Sequence, residues 1–349
     1  MQWPTPILER KGQPPTRSTL KYTILQGVTM HSITAKNIPQ AYQEVMEKIH
    51  IIGAQEDSRN GPVITIQYPF TLRITNPEQR VLFNPARDAN PFFHVMESIW
   101  MFAGRNDAEW LTTYNKRYVD YAEPTGAVHG AYGMRWRYQF AIDQIAEVID
   151  ILGANPSTRQ AVISMWSPFL DLTDRPLNDR PCNTHIYFRT VAGKLNMTVC
   201  NRSNDVVWGM LGANAVHMTY LHELVARGTG IPMGEYIVFT NNAHIYPEMP
   251  RYSAIMKDLW HYDQYGMKAR VTTVPLLAPN EDWSEFISGC EKFCDGKPVR
   301  LSWFQQIAYP MEKAWAARMN GETGIPEIKS MPSCDWRKAC LEWVERRTK

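Results

Sequence analysis

The sequence predicts a mixed fold of the α/β or α+β class, in which a mixed β-sheet is covered by helices. Two observations predict it. Strand patterns and helix patterns alternate along the chain, and one pair of strands is joined by a short turn into an antiparallel hairpin. The 349 residues are 44% hydrophobic, which is enough for a large core in one big domain or two smaller ones.

The elements follow from hydrophobic periodicity and from the residues that begin and end each segment. Ile142, Ile145 and Ile149, for example, lie on one apolar stripe of a helix that ends near Gly153. Helices are predicted at 38–51, 90–102, 141–152 and 215–227, with helical pieces near 281–294, 302–319 and 335–347. Strands are predicted at 62–68, 161–166, 181–191, 195–200 and 235–240, and near 270–277.

The chain divides into three stretches, with no internal repeat. Residues 1–38 form an N-terminal arm, of which the first 20 residues are proline-rich and irregular. Residues 39–262 form the core that carries the motifs described below. Residues 263–349 form a C-terminal segment that we expect to belong to the same compact domain.

Composition and charge exclude several classes of function. The formal net charge is +2, so neither a nucleic acid nor a membrane partner is required, and any anion site must be local. The six cysteines are too few for a disulfide scaffold in a chain of this length. No signal-peptide core and no run of about 18 apolar residues occurs, which predicts a soluble, cytoplasmic protein. Cys290 and Cys294 could bind a metal, but no histidine is near them, so a shared helix face is preferred and no metal is expected.

The predicted hairpin brings a cysteine towards a polar cluster. Cys182 opens the first strand, and the second strand runs into Arg202, Ser203 and Asp205. A guanidinium near a thiol favours the thiolate, which is the nucleophilic form, and Arg and Ser are suitable phosphate ligands. The cluster therefore predicts covalent catalysis on a phosphorylated substrate. The alternative is that Cys182 is a small buried hydrophobic residue.

Other polar residues stand next to apolar segments. Glu97 lies on an apolar helix face, where a carboxylate is suited to general acid–base catalysis. Arg59 and Arg159 each lie in a turn before a strand. Asn214, His244 and Tyr246 flank apolar segments. Taken one at a time, each of these residues would usually be structural or simply solvated.

In their order along the chain, these segments resemble the thymidylate synthase family, which includes the pyrimidine nucleotide hydroxymethylases. The resemblance covers about residues 40 to 260 and rests on the following matches: Ser58-Arg59-Asn60-Gly61, Glu97 to Gly104, Tyr132-Gly133-x-x-Trp136-Arg137, Asn155 to Arg159, Pro181-Cys182, Arg202 to Gly209, Asn214, and His244-Ile245-Tyr246. The Arg-Ser-x-Asp-Val and His-x-Tyr elements, at their separations from Cys182, are the most specific of these.

The resemblance implies an enzyme that transfers a one-carbon group from 5,10-methylenetetrahydrofolate to C5 of a pyrimidine deoxynucleotide, after Cys182 has added to C6. It implies the following roles: Arg59, Arg159, Arg202 and Ser203 hold the phosphate, His244 and Tyr246 bind the sugar, and Glu97 and Tyr132 transfer protons. Asp205 is a catalytic residue that also lies at the folate site, together with Gly209 and Tyr118. It also implies the thymidylate synthase fold in a homodimer, with sheets packed back to back and Arg159 crossing to the partner subunit.

Four departures from the family pattern bear on the product. Asn183 replaces the His that follows the catalytic Cys, and Gln160 replaces a second Arg in the dimer loop. Tyr118 and Tyr121 stand where tryptophans usually wall the folate site. The family's closing C-terminal tail is not recognisable before Lys349. Methyl formation needs water to be excluded, whereas hydroxymethyl formation needs water to reach the transferred carbon. The sequence therefore predicts a dUMP hydroxymethylase, with thymidylate synthase and dCMP hydroxymethylase as alternatives.

The residue that reads the base has two candidates. A gapless alignment from Arg202 gives Ala213, whereas counting back from His244 gives Asn214. We prefer a one-residue insertion near Gly212, which makes Asn214 the reader and uracil the base, because an amide can pair with both N3–H and O4. If Ala213 is the equivalent, the choice of base stays open.

A catalytically inactive nucleotide- or RNA-binding relative is a further alternative, disfavoured by the presence of both Cys182 and Glu97. Modified pyrimidine DNA of a bacteriophage is one use that the resemblance suggests.

Overall fold

The computed structural model describes residues 30–259, 264–266 and 271–348 and has two β-sheets covered by helices. A six-stranded sheet has the order β1-β4-β9-β7-β6-β5, and a four-stranded sheet has the order β2-β3-β10-β8. The strands are β1 His31–Ala35, β2 Ala54–Ser58, β3 Gly61–Ile66, β4 Phe70–Ile74, β5 Val162–Ser164, β6 Asn183–Val191, β7 Lys194–Asn201, β8 Asn204–Asp205, β9 Met233–Thr240 and β10 Ala243–Ile245.

The helices are α1 Ile38–Ile52, α2 Pro91–Phe102, α3 Ala108–Thr112, α4 Tyr132–Arg137, α5 Gln144–Ala154, α6 Pro168–Asp171, α7 Asn214–Thr229, α8 Tyr252–Lys257, α9 Trp283–Cys294, α10 Tyr309–Met319, α11 Ile325–Ser330 and α12 Asp335–Thr348. A 3₁₀ turn covers Lys116–Tyr121, and two π-helical segments cover Val206–Ala213 and Phe304–Ala308. Within the described residues, no helix is both long enough and apolar enough to cross a membrane.

The large sheet is mixed, with antiparallel pairs β4–β9, β7–β6 and β6–β5 and parallel pairs β1–β4 and β7–β9. Alternation along its strands buries one face: Leu72, Met197 and Val238 lie in the core, whereas Arg73, Thr198 and Ile237 do not. Helices α2 and α7 pack together behind the buried face. The mixed α/β prediction is confirmed.

Local signals explain why the two central helices form where they do. Asn90 caps α2, its side chain accepting from Phe93 N at 3.2 Å, and Pro91 occupies the first turn. Helix α7 ends at Gly230, whose φ of 69° is left-handed. A buried ion pair joins Glu223 of α7 to Arg80, with 2.6 Å between Oε2 and Nη2.

Most predicted elements are present, with shifts of a few residues at their ends. The helix predicted from 141 begins only at Gln144, because the Asp143 side chain caps it. The strand predicted near 270–277 is wrong: residues 271–277 are irregular, and residue 270 lies outside the described range. The backbone there bonds elsewhere, since Leu276 N donates to the Glu223 carboxylate at 2.7 Å and Thr272 O accepts from Asp335 N at 2.9 Å.

The two ends of the chain extend the core. The irregular arm predicted at 1–20 lies outside the described residues. Strand β1, which falls in the stretch predicted as an N-terminal extension, pairs with β4 at the edge of the large sheet. In the C-terminal segment, α9 and α12 both pack against α2.

Candidate active site

The hairpin of β6 and β7 brings Arg202 to Cys182. Cys182 lies just before β6, and Arg202 follows the end of β7. Nη2 of Arg202 is 3.6 Å from the Cys182 Sγ, Nε donates to Pro181 O at 3.0 Å, and the Arg202 backbone N donates to Cys182 O at 2.9 Å. These bonds fix the guanidinium beside the thiol.

The electrostatics of the thiol differ from the expectation that it is held partly as thiolate. Burial raises the pKa of Cys182, and the negative charges of Asp179 and Asp205 add to that rise. The positive charges of Arg202 and Arg59 oppose the rise without cancelling it. In the resting protein the thiol is therefore more strongly protonated than an isolated cysteine.

Tyr132, at the start of α4, adjoins the same thiol. Burial raises the pKa of Tyr132 well above its usual value, and a thiolate at Cys182 and the charge of Asp179 would raise it further. Hydrogen bonds from the backbone of Asn183 and Cys182 oppose this rise. The phenol is therefore a neutral group at physiological pH, held close to the nucleophile.

Ser203 and His244 form a hydrogen-bonded group with Asn242 at the β8–β10 edge of the small sheet. Asn242 Nδ2 donates to Thr65 Oγ1 at 2.8 Å, so Asn242 Oδ1 faces His244 and accepts from its Nδ1 at 2.8 Å. Ser203 Oγ also donates to Asn242 Oδ1, at 3.1 Å. Burial lowers the pKa of His244 to about 4, so the ring is neutral at pH 7 and its Nε2 is an acceptor. The ring of Tyr246 stands perpendicular to it, at 5.3 Å.

Asp205 caps the π-helical segment Val206–Ala213. Its Oδ1 accepts from Val207 N at 2.8 Å and Trp208 N at 2.9 Å. Burial raises the pKa of Asp205 to about 6, although these two bonds and Arg87 oppose the shift. Gly209 lies between Asn204 and Asn214, since a Cβ there would be 3.0 Å from Asn204 Oδ1 and 3.3 Å from Asn214 Nδ2.

Glu97 is buried on α2 between two polar partners. Its Oε2 lies 3.1 Å from Nε2 of His217 on α7. Tyr118, from the 3₁₀ turn, packs on Phe93 and Trp100 and hydrogen-bonds to Glu97; burial first, then Glu97, raises the pKa of the phenol well above its usual value. The turn and the two helices thus converge on one carboxylate.

The two turn arginines differ in their surroundings. Arg59 is exposed at the β2–β3 turn, but its charge acts on the Cys182 thiol. Arg159 is exposed on the loop between α5 and β5, and no ion pair or side-chain hydrogen bond within the described residues holds it. The single chain therefore gathers all the predicted site residues around Cys182 and Glu97 except Arg159.

Three polar residues at the site were not predicted. Asp179 is three residues before Cys182; its charge acts on Tyr118, Tyr121 and Tyr132, and burial raises its own pKa. His217 and Arg87 come from distant segments. Only the position of Asp179 before Cys182 gave a local signal in the sequence.

Trp208 offers a flat aromatic surface beside Gly209. Its side chain is 45% exposed, and the guanidinium of Arg87 lies 4.1 Å from the ring centroid on one face. Nε of Arg87 donates to Val207 O at 2.9 Å, which fixes the guanidinium under the ring. The indole is thereby presented to solvent as a rigid platform next to Gly209.

Two other features lie outside the site. Cys290 and Cys294 are both buried on α9, as the shared helix face predicts, and the described residues contain no group of three or more His, Cys, Asp or Glu side chains that could hold a metal. A cavity of about 730 Å³, lined by Asn76, Lys194, Arg227 and Pro279 among others, contains none of the site residues.

Comparison with known proteins gives consistent results. The family model described as "Thymidylate synthase" matches residues 40–275. The chain is 38% identical over 333 residues to a deoxyuridylate hydroxymethyltransferase of Pseudomonas phage M6, covering 91% of this chain and 95% of that protein. It is 30% identical to proteins of the same name from Bacillus phage SP01, covering 74% and 68%, and from Delftia phage PhiW-14, covering 61% and 62%.

Proposed function

Since this chain belongs to the thymidylate synthase family, we propose that it converts dUMP to 5-hydroxymethyl-dUMP, with 5,10-methylenetetrahydrofolate as the one-carbon donor. The observation that carries this proposal is the similarity to a deoxyuridylate hydroxymethyltransferase along nearly the whole of both chains. The cluster around Cys182 supplies the groups that the chemistry needs.

The nucleotide would be held by its phosphate and its sugar. Arg202 contacts the Cys182 sulfur, Ser203 follows it in the chain, and the charge of Arg59 acts on the same thiol; these three residues would bind the phosphate. The neutral His244 has its Nε2 available to accept from a sugar hydroxyl, with Tyr246 beside it. Binding energy from these remote groups would place C6 over the thiol.

Thiolate formation would accompany nucleotide binding. Because burial raises the pKa of Cys182, the nucleophile needs a proton acceptor and the adjacent Arg202 charge at the moment of attack. The Cys182 sulfur bonds to C6, the C5–C6 π electrons move towards C5, and C5 becomes the carbon nucleophile. Tyr132, next to the thiol, would take part in removing the C5 proton.

The π-helical segment supports Asn214 as the base reader. A π-helical turn holds one residue more than an α-helical turn, as a one-residue insertion requires. Gly212, inside the segment, has a non-helical conformation with φ −110° and ψ −116°, and a Cβ there would lie 2.8 Å from Val207 O, so only glycine fits without a shift. The Asn214 amide then lies over Gly209 and would pair with N3–H and O4 of uracil.

The residues around Gly209 fit a folate. Gly209 has no side chain, Trp208 presents an aromatic face, and Tyr118 hydrogen-bonds to Glu97. Asp205 has one carboxylate oxygen in a cap and would direct the other towards pterin N–H groups. When bound, methylenetetrahydrofolate would supply one carbon at the oxidation level of formaldehyde; a metal is not needed for this transfer.

Polarity near the transferred carbon favours water over hydride as its final partner. The charge of Asp179 adds to burial in raising the pKa of Tyr118 and Tyr121, and the buried Asn183 has no hydrogen-bond partner for either amide atom among the described residues. Unpaired buried amides are sites where ordered water is expected. Methyl transfer, as in thymidylate synthase itself, would require this region to be dry.

We expect a homodimer that uses the uncovered face of the large sheet. Ile237, Phe239 and Tyr187 lie on that face, and no helix of the described chain covers them. A second copy packed there back to back would bury them. Arg159, exposed and without a partner in its own described chain, would then reach the partner's phosphate site.

Incubation with dUMP and methylenetetrahydrofolate, followed by mass and absorbance analysis of both products, tests the function. We expect 5-hydroxymethyl-dUMP and tetrahydrofolate. dTMP with dihydrofolate would identify a thymidylate synthase. Turnover of dCMP in place of dUMP would show that the base reading is wrong.

A further inference from the structure

We propose that His217 is a positioning residue that holds the Glu97 carboxylate ready to accept a proton from water during hydroxymethyl formation. The proposal rests on the function inferred above and assigns a residue to its last chemical stage. It starts from the contact between α2 and α7, the two helices at the centre of the core.

The two side chains are almost completely buried against each other. His217 is 1% exposed and Glu97 6%. His217 Nε2 and Glu97 Oε2 are 3.1 Å apart but not aligned as a linear hydrogen bond, and among the described residues neither imidazole nitrogen has another hydrogen-bond partner. An imidazole that is buried without a hydrogen-bond partner costs free energy. A hydrogen bond to the neighbouring carboxylate would remove that cost. A small ring rotation would make the bond, and the acceptor atom is already in place.

Two further residues, Tyr118 and His94, face the Glu97–His217 pair. Tyr118 hydrogen-bonds to Glu97 from the 3₁₀ turn. His94 lies one turn earlier on α2, and burial, with the charges of Arg87 and His217 adding to it, lowers the pKa of His94 well below its usual value. His94 is therefore neutral. Glu97 therefore has one donor in place, Tyr118, and a second within reach at His217 Nε2.

The position of His217 on α7 connects it to the nucleotide. Asn214, the proposed base reader, is three residues earlier and lies on the same side of α7. A base held by Asn214 would therefore be next to the Glu97–His217 pair. Asn214 and His217 lie on the same helix. That helix is anchored, because Glu223 further along α7 is paired with Arg80.

The step balances with these groups. The oxygen of water bonds to the methylene carbon attached to C5, and the π electrons of that double bond move into the ring as an enolate. The water proton passes to the Glu97 carboxylate. The enolate then re-forms the C5–C6 double bond, and the C6–S bond breaks to return the Cys182 thiolate. His217, donating from Nε2, keeps the Glu97 carboxylate oriented towards the attacking water.

Two substitutions separate this role from simple packing. In His217→Gln an amide N–H replaces Nε2–H, and in His217→Phe the ring remains without a donor. His222 is the matched control, being another buried histidine of α7 whose Nε2 bonds to Leu195 O at 2.6 Å, away from the site. We expect His217→Phe to lower turnover of dUMP about 10²-fold. We expect His217→Gln and His222→Gln to stay within about threefold of wild type.

A second readout isolates the stage of reaction. 5-Fluoro-dUMP with methylenetetrahydrofolate forms the covalent adduct but cannot lose fluorine from C5, so it stops before water is added. Mass spectrometry should find the adduct in His217→Phe at the wild-type rate. An adduct rate that falls together with turnover would assign His217 a structural role and overturn the proposal. Wild-type turnover by His217→Phe would also overturn it.

The free protein gives an independent measure. ¹⁵N chemical shifts of the His217 ring, assigned with His217→Gln, should show a proton on Nε2 at pH 7. A bare Nε2 would contradict the proposal. If wild type makes dTMP, the proposed function itself fails; if it makes 5-hydroxymethyl-dUMP while His217→Phe is unimpaired, only the role of His217 fails.

Discussion

The proposed base reader is a single amide on α7, that of Asn214. In Asn214→Asp a protonated carboxyl group would offer cytosine an acceptor for N4–H and a donor for N3, while the ionised form would leave uracil O4 without a donor. We expect the ratio of kcat/KM for dCMP to that for dUMP to rise at least about tenfold, since one buried hydrogen bond contributes about 1.4 kcal/mol. Steady-state assays with both nucleotides measure it.

Ala213→Asp is the matched control. It adds a carboxylate one position away, before the first residue of α7. If this variant changes the base preference and Asn214→Asp does not, the one-residue insertion is misplaced and Ala213 is the reader.

Asp205 should make stability depend on pH. Burial raises its pKa to about 6, above the unfolded value of 3.8, so the folded protein binds this proton more tightly. The stabilisation is fully present below pH 3.8 and is lost as the pH rises through 6. Asp205→Asn removes this loss, and its amide oxygen can keep the cap. We expect the free energy of unfolding of the variant, relative to wild type, to rise by about 2 kcal/mol between pH 4 and pH 7.

Urea denaturation at several pH values measures this difference, and turnover at pH 7.5 should fall in the same variant because the carboxylate is lost from the folate site. A constant difference between the two proteins across this pH range would show that Asp205 is not the titrating group.

At the residue scale, sequence reasoning located the cluster and missed its partners. Cys182 and Arg202 could be brought together because one hairpin connects them. His217 could not be linked to Glu97, because the two lie on different helices whose packing depends on the whole core. The thiol pKa was expected to be low from Arg202 alone, whereas burial, which depends on tertiary structure, dominates.

At the scale of elements, the end of α12 depends on one carboxylate. Asp88 is paired with Arg346, Arg347 and Arg251. Although burial acts to raise it, these arginines lower the pKa of Asp88. Asp88→Asn keeps a residue that tolerates the φ of 52° but removes the charge. We expect faster hydrogen exchange of backbone amides in the last turn of α12, with a loss of about 1 kcal/mol in unfolding free energy.

Lys338→Gln is the control for that experiment, since it removes an exposed ion pair with Glu342 in the same helix. We expect that change to have little effect, because exposed pairs contribute little. Equal exchange rates in Asp88→Asn and wild type would show that α12 is held by its apolar contacts alone.

Sequence signals were strong for elements with a clear period and weak elsewhere. The stripes of α1 and α5 and the cap of α2 were sufficient for prediction. The apolar residues near 271–277 looked like a strand, but they pack as irregular chain between Glu223 and Asp335. Short strands such as β8, with two residues, carry no periodicity to detect.

At the scale of the whole molecule, a shared active site predicts complementation between subunits. Cys182→Ala lacks the nucleophile and Arg159→Glu repels the phosphate, so each homodimer should be inactive or nearly so. If Arg159 crosses the interface, a heterodimer has one site with both wild-type residues. Refolding an equal mixture should then restore about one quarter of wild-type activity. Size-exclusion chromatography with light scattering checks the dimer.

Recovery of no activity from the mixture, with dimers present, would show that Arg159 acts within its own subunit or not at all. A monomer in solution would contradict the use of the open sheet face.

The fold class could be predicted from the sequence because helices and strands alternate; the order of strands could not, because parallel neighbours such as β7 and β9 are joined only through α7.

The wide turn before α7 has a consequence for how such a protein changes over time. One residue added inside an α-helix rotates everything beyond it by about 100°. The π-helical segment Val206–Ala213 can absorb such a change, because its extra residue bulges out while Asn214 and Glu223 keep their orientation. We therefore expect a one-residue insertion to be tolerated at this turn, with a changed contour of the loop there and the helix behind it kept in place.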